Sequence, residues 1–354
     1  MEFRVVDSQE RVIMKAAYIV KKGSAYKAFE LREVEKPIVA SGEVGIEVEA
    51  FGLNFADVMI RMGTYSDAPP FPSVPGYDVV GRITEVHPET KTDLQIGDRV
   101  IALTRFGGYA EHVATDVLAV AKVKEDTPAT IATALSTQGC TAYYMAKDFT
   151  NIHPGDQVLV HAAAGGVGSL LCQIAKSQGA TVFGTASSPE KLEYLRSIGV
   201  DHPINYKSQP FDDSIKKILQ KDKGLDVIFD AVGGSSIKKG LKLLDGGGRI
   251  ICFGAAALTS AKTIFSKIGV ALGFGFYSPI ALLNPSRSLM AVNMLTIGDE
   301  KPHIVNRVMN GVIQLYNDGI IQPLDGGLYN IDQLADAHDA LEKRKTMGKV
   351  AVKW

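Results

Sequence analysis

The chain has 354 residues, of which 38 are Lys or Arg and 39 are Asp or Glu, giving a formal net charge of −1. At about 150 residues per domain, this length suggests roughly two domains. The balanced charge argues against a general nucleic-acid binder, whose affinity needs clustered positive charge. Apolar residues make up 46% of the chain, too many for a disordered one, and 35 glycines anticipate tight turns or a backbone-lined ligand site.

Cys140, Cys172 and Cys252 match no CxxC spacing, so neither a disulfide framework nor a cysteine zinc site is expected. Three isolated cysteines suit the reducing cytoplasm. The N-terminus is interrupted by Asp7, Glu10 and Arg11 and lacks the apolar core of a signal peptide. Residues 1–13 read as a loosely held extension. Residues 264–283 have the length of a membrane span. Lys267, three glycines and Pro279 spoil the run, which reads instead as a lid or a subunit-interface element.

In chain order, Met14–Val20, Leu31–Val34, Glu43–Ala50, Val79–Val86 and Asp98–Ala102 read as strands of a small barrel-like β domain. The texture changes near Thr127. Pro128–Lys147 reads as helix, a turn at Gln138-Gly139, then helix. A regular alternation follows: strand Gln157–His161, helix Val167–Gln178, strand Thr181–Thr185, and a helix capped by Ser188 with Pro189 at its first position. Helix Phe211–Lys221, strand Leu225–Ala231, helix Ser236–Leu244 and strand Arg249–Gly254 complete a parallel, doubly wound sheet. Arg249–Phe253 is expected at the sheet's edge, where an unpaired strand invites a second copy and hence a homodimer. The last segment ends in helix Ile331–Lys343 and strand Lys349–Trp354.

The strongest chemical signal is His161-Ala162-Ala163-Ala164-Gly165-Gly166-Val167-Gly168, between a strand and a helix. Missing side chains there let the backbone approach a pyrophosphate, and the helix start supplies positive potential. The first position of the G-x-G-x-x-G pattern is Ala163, so the strand–turn–helix context carries the assignment. An NAD site usually ends its second strand with an acid that binds the ribose 2′-OH. Here that end is Gly184-Thr185-Ala186-Ser187-Ser188, followed by Lys191, which favours NADPH.

The chain resembles the zinc-free quinone oxidoreductases of the medium-chain dehydrogenase/reductase superfamily, in the quinone reductase and vesicle amine transport protein-like branch. The resemblance covers roughly residues 14–354. It rests on Gly52-Leu53-Asn54-Phe55-Ala56-Asp57, Val74-Pro75-Gly76-Tyr77-Asp78, Gln138-Gly139-Cys140-Thr141-Ala142-Tyr143, the Ala/Gly turn, Ile204-Asn205-Tyr206 and Val292-Asn293-Met294. It implies an α/β fold in which a Rossmann cofactor domain (139–297) is inserted in a GroES-like β-rich catalytic domain (14–138 and 298–354), with the nicotinamide in the cleft between them. It also implies that Asn54 lies beside the nicotinamide and Thr141 near its ribose and phosphate. Ser188, Lys191 and Tyr206 would surround the 2′-phosphate, helped by Arg344. Phe253-Gly254 would lie beneath the cofactor, and Asn293 would reach it from the returning segment.

Zinc alcohol dehydrogenases carry Gly-His-Glu where this chain has Gly76-Tyr77-Asp78, and a cysteine near Asn54-Phe55-Ala56-Asp57. The seven histidines show no paired ligand spacing, so no zinc is expected. Without a Lewis acid, the chemistry should favour acceptors that stabilise charge themselves, such as quinones or α,β-unsaturated carbonyls. Tyr65 is the best candidate to hydrogen-bond the acceptor oxygen or donate a proton, with an aromatic pocket wall the alternative. Two other readings stay open. One is an enoyl-thioester reductase, and the other is a vesicle-associated or structural protein whose 264–283 stretch touches a membrane or partner.

Overall fold

The computed structural model describes residues 12–219, 223–260 and 263–354. Of the expected extension, residues 1–11 lie outside the described residues. Strands β1 (Ile13–Ile19) and β2 (Phe29–Glu35) form an antiparallel pair around the short helix α1 (Ala25–Ala28). Strand β3 (Glu43–Leu53) leads into α2 (Phe55–Arg61), followed by β4 (Asp78–Val86), β5 (Arg99–Leu103), β6 (His112–Asp116) and β7 (Val120–Lys122). Helices α3 (Ala129–Leu135) and α4 (Thr137–Tyr143) come next, and a π-helical turn, Tyr144–Phe149, extends α4.

The alternating segment comprises β8 (Gln157–Val160), α5 (Gly166–Ser177), β9 (Thr181–Ala186), α6 (Pro189–Ser197), β10 (His202–Asn205), α7 (Phe211–Ile218), β11 (Leu225–Asp230), α8 (Ser235–Leu243) and β12 (Leu244–Cys252). Helices α9 (Ala256–Ser260), α10 (Ile264–Phe274) and α11 (Pro279–Leu283) precede β13 (Ser288–Ala291). The chain returns through α12 (Met294–Glu300), α13 (Pro302–Asn317), β14 (Asp325–Asn330) and α14 (Leu334–Glu342) to β15 (Lys349–Lys353).

Strands β8–β13 form one parallel sheet in the order β10-β9-β8-β11-β12-β13. The order reverses between β8 and β11, and ligands of such sheets bind at the carboxyl ends of the strands beside that reversal. The second sheet runs β14-β15-β3-β4-β5-β7, with β6 also pairing β3. Its β15 lies antiparallel to β3, Val350 opposite Leu53 and Ala351 opposite Gly52. One apolar core joins the sheets: Ala50, Val80 and Ile101 pack in the same cluster as Leu135, Val158, Val160, Leu170 and Val312.

Two expectations are corrected here. The helix after Thr127 breaks at Ser136, whose ψ is −105°, and not at Gln138-Gly139. Gly139 serves packing instead: a Cβ there would stand 2.6 Å from Val312 Cγ1 on α13. Arg249–Phe253 is not the edge of the parallel sheet. β13 pairs in register along β12, Ile250 beside Leu289 and Cys252 beside Ala291, and takes the edge itself. A strand of four residues behind Asn284-Pro285-Ser286-Arg287 has too little pattern to stand out from a loop. The 264–283 stretch forms two short helices of 11 and 5 residues, α10 and α11, and no helix among the described residues is long and apolar enough to cross a membrane.

Candidate active site

The site is built first by the turn after β8. Ala162 takes a left-handed φ of 52°, and Gly165 in an extended conformation precedes α5. A Cβ on Gly166 would collide with the Gln138 side chain. One on Gly168 would collide with the Ala162 carbonyl and stand 2.8 Å from the Ala163 Cα. Ala163 is fully buried, with its N–H bonded to the Thr185 carbonyl at 3.0 Å, so it anchors the turn to β9. The N–H groups of Gly166, Val167 and Gly168 have no carbonyl within the helix, as at every helix start. A bare backbone at the amino end of a 12-residue helix, beside the sheet's reversal, fits the pyrophosphate of a dinucleotide.

The second element is the corner past β9. Ser187 follows Ala186, and Ser188 caps α6 by accepting the Lys191 N–H at 3.4 Å. The Lys191 ammonium donates to the Arg344 carbonyl at 2.8 Å, which ties α6 to the second residue past α14. Burial pushes the Lys191 pKa down, Glu190 opposes the shift, and the nearby Lys207 and Arg344 charges add to it. Arg344 holds a left-handed φ of 57°, and its guanidinium donates to the Ala256 carbonyl at 3.2 Å. Tyr206 is exposed, and its N–H bonds the Ala186 carbonyl at 3.2 Å. The structure thus brings Ser188, Lys191, Tyr206 and Arg344 to one corner and adds Lys207, which sequence reasoning missed. Its only signal was adjacency to Tyr206.

Other expected residues line the approaches. Phe253 donates its N–H to the Asp230 carbonyl at 3.0 Å, and a Cβ on Gly254 would stand 2.7 Å from the Ala231 oxygen. Thr141, on α4, commits its hydroxyl proton to the Thr137 carbonyl at 2.6 Å. Asn293 caps α12 and donates to the Asp67 carboxylate at 3.2 Å, so the returning segment grips the loop that carries Tyr65. Arg105 and Asp299 pair at 2.6 Å alongside it.

Tyr65 stands edge to face with Tyr77, ring centroids 6.3 Å apart, in an apolar cluster that includes Ile60, Phe71, Phe106 and Leu295. Burial raises the pKa of both phenols, so both remain protonated donors at neutral pH. Tyr77 is the second phenol of the site and was not singled out from the sequence.

Asn54 follows β3 as the N-cap residue of α2, and its backbone N–H donates to the Asp57 carboxylate at 2.7 Å. Its Nδ2 donates to Asp78 at 2.5 Å, and its Oδ1 accepts from the Lys349 ammonium at 3.0 Å. Lys349 also bonds Asp78 at 2.5 Å. Asp78, Lys349 and Asp57 are fully buried. Lys349 escaped the sequence reading because its partners lie at the far end of the chain, joined to it only by the pairing of β15 with β3.

Burial pushes the Asp57 carboxyl up to about 7. The Asn54 N–H bond and Lys349 oppose the shift, and the Asp78 charge adds to it. The folded chain therefore keeps a proton that the unfolded chain releases near pH 4. Stability contributed by this group is present below that value and is lost as pH rises through about 7. Asp57→Asn should gain stability relative to the native chain between pH 5 and pH 8. Parallel thermal melts check this; a difference in melting temperature that stays flat across the range would refute it.

Residues 40–154 match the alcohol dehydrogenase GroES-like domain family and residues 166–279 the zinc-binding dehydrogenase family. Among the described residues no three His, Cys, Asp or Glu side chains cluster so as to hold a metal ion. Together, sheet order, glycine turn and matched domains define a medium-chain dehydrogenase/reductase, an oxidoreductase built around a nicotinamide cofactor. The chain is 35% identical over 329 residues to the synaptic vesicle membrane protein VAT-1 homolog of Rattus norvegicus, covering 90% of this chain and 78% of the relative. The Danio rerio protein of the same name is also 35% identical, over 89% of this chain and 65% of its own length. A probable quinone oxidoreductase of Schizosaccharomyces pombe is 32% identical over 90% of both chains. Among solved structures, a Pseudomonas syringae quinone oxidoreductase superposes with a TM-score of 0.83 at 26% identity, over 96% of this chain and all of that one. Escherichia coli quinone oxidoreductase complexed with NADPH gives 0.81 at 26%, over 96% and 100%. The CurK enoyl reductase gives 0.81 at 27%, over 96% and 99%. The chain belongs to the zinc-free quinone oxidoreductase branch of the medium-chain dehydrogenase/reductase superfamily.

Proposed function

We propose that this chain is an NADPH-dependent, zinc-independent reductase whose acceptor is a quinone or an α,β-unsaturated carbonyl. The observation that carries the proposal is the cationic corner after the acid-free end of β9, where Lys191 lies in the field of Lys207 and Arg344 beside the Ser188 cap, with Glu190 opposing them. When bound, NADPH supplies the hydride. The chain's own part is to hold the dinucleotide along the glycine turn, orient the acceptor and keep water out. The Asn293–Asp67 contact joins the two halves of the cleft. Tyr65 offers a phenol donor for the acceptor oxygen. In this reading residues 139–297 carry the cofactor, and residues 14–138 with 298–354 carry the acceptor.

A panel of quinones, enals, enoyl thioesters and secondary alcohols tests the reaction class. Reduction of quinones or enones with NADPH is the expected result; turnover of secondary alcohols alone would overturn it. Preference for enoyl thioesters would favour the second reading, which the structural likeness to an enoyl reductase supports. On the preferred acceptor, Tyr65→Phe should lower kcat roughly tenfold or more, the usual weight of one positioned donor or acid, while NADPH affinity stays unchanged. Unaltered kcat would make Tyr65 a pocket wall.

The same proposal includes a homodimer. The edge strand β13 has no strand on its outer side among the described residues. Neighbouring α10 and α11 expose Phe265, Leu272, Ile280 and Leu283, with Phe276 between them. A second copy pairing along β13 would cover this apolar surface. Sedimentation velocity at micromolar concentration should give a dimer; a monomer throughout would count against it and favour the remaining reading, contact with a membrane surface, which liposome flotation tests.

A further inference from the structure

The Asn54 carboxamide can be read atom by atom. It has one oxygen with two acceptor sites and one nitrogen with two donors. The oxygen accepts from the Lys349 ammonium at 3.0 Å, while the Asp57 backbone N–H bonds the Asn54 backbone carbonyl at 3.0 Å. The nitrogen gives one proton to Asp78 Oδ1 at 2.5 Å. Lys349 closes the triangle by donating to Asp78 Oδ2 at 2.5 Å. In the flipped orientation the amide NH2 would face the ammonium and the amide oxygen would face the carboxylate. Both contacts would then be repulsive, in a place without water to relieve them.

The fold makes this triangle possible at two points. The register of β15 on β3 sets Val350 opposite Leu53, which brings Lys349 alongside Asn54. Gly52 leaves the space: a Cβ there would collide with the Lys349 side chain and stand 2.5 Å from Asp78 Oδ2. Asp78 and Lys349 are wholly buried, whereas Asn54 keeps 6% of its surface. The triangle therefore opens to the outside only through Asn54. The second N–H of Nδ2 has no acceptor among the described residues.

We propose that Asp78 and Lys349 are positioning residues that lock the Asn54 amide in one orientation, so that it presents a hydrogen-bond donor to a carbonyl oxygen in the cleft. The proposal deepens the reductase reading and rests on it for the carbonyl's identity. Two sources share that chemistry, the electron acceptor and the carboxamide of the nicotinamide. A donor aimed at the acceptor oxygen stabilises the charge that develops there on reduction.

The test is a nuclear magnetic resonance spectrum of the chain labelled with 15N-asparagine, the Asn54 side-chain pair being identified by its loss in Asn54→Asp. The two amide protons should be widely separated and should not exchange places. 1,4-Benzoquinone should shift one of them if the acceptor is the source, and NADPH alone if the nicotinamide is. Asp78→Asn, which keeps the shape but removes the charge, should draw the pair toward ordinary positions. It should also lower kcat roughly ten- to a hundredfold, as expected for a misaimed group. NADPH affinity should stay within about twofold if the acceptor is the source and fall with kcat if the nicotinamide is. Asp78→Glu should restore most of the loss. Interchanging amide protons in the native chain would overturn the lock without any variant at Asp78 having to fold, and so would an Asp78→Asn chain with unchanged spectrum and kcat. Failure of the native chain to reduce any quinone or enone would overturn the reductase reading instead, and the amide spectrum would still decide the lock.

Discussion

Lys191→Ala should weaken NADPH binding by roughly tenfold or more while leaving NADH binding nearly unchanged. A 2′-phosphate carries close to two negative charges and seeks cationic and hydroxyl donors. Lys191 spends one N–H on the Arg344 carbonyl, so an ammonium with three donors has two left for a ligand. The bond to Arg344 holds the lysine in place before any ligand arrives, which limits the entropy lost on binding. Losing one partly exposed, charge-assisted contact costs about 1.5 kcal/mol or more, hence the tenfold figure. NADH has no phosphate there and should not register the change. Fluorescence titration with both cofactors decides the matter. A native preference for NADH, or equal weakening of both cofactors, would remove this corner from the cofactor site.

Lys349→Met should destabilise the chain by about 3–5 kcal/mol, the usual cost of leaving one member of a buried ion pair alone. Both Asp78 and Lys349 are fully buried, so water cannot replace the lost ammonium. Burial already raises the Asp78 pKa against the pull of Lys349. Without the lysine it rises further, and the folded variant takes up a proton that the unfolded chain releases. The loss should therefore be larger at pH 8 than at pH 5. Pairing the change with Asp78→Leu should recover much of the stability, because the carboxylate no longer sits unpaired. Urea unfolding of the two variants at both pH values measures this. A single variant within about 1 kcal/mol of the native chain would mean that the pair carries little of the fold.

The parallel sheet was legible because its strands are short apolar runs punctuated by glycine and proline. Gly165, Pro189 and Gly199 mark helix starts and stops as local chemistry requires. The positions of the glycine turn and of the acid-free end of β9 were legible for the same reason: each is a contiguous stretch at the junction of a strand and a helix. Edge strand β13 was not, since four residues carry too little alternation. Helix α13 also fell outside the expected elements, although Val305, Val308, Met309, Val312 and Leu315 follow helical spacing. Long-range pairs were the hardest to see. Nothing near Asn54 announces that its partner is Lys349, 295 positions away, and the Lys191–Arg344 contact spans 153. Such contacts are properties of strand register and domain closure, which periodicity does not encode.

The pairing of β15 with β3 also sets an order of events during synthesis. Gly52 and Ala351 face each other across the sheet, yet they leave the ribosome about 300 residues apart, an interval of roughly 15–60 s at ordinary elongation rates. Throughout that interval one flank of β3 waits without its last neighbour, and Asp78 is beside an amide but no ammonium. The parallel sheet, whose strands all lie within residues 157–291, is complete in sequence well before then. The nascent chain thus carries a complete parallel sheet beside a half-closed β-rich one. The closing strand delivers Lys349 to the Asn54 triangle and Gly348 to its bridge with Gly165 in a single step.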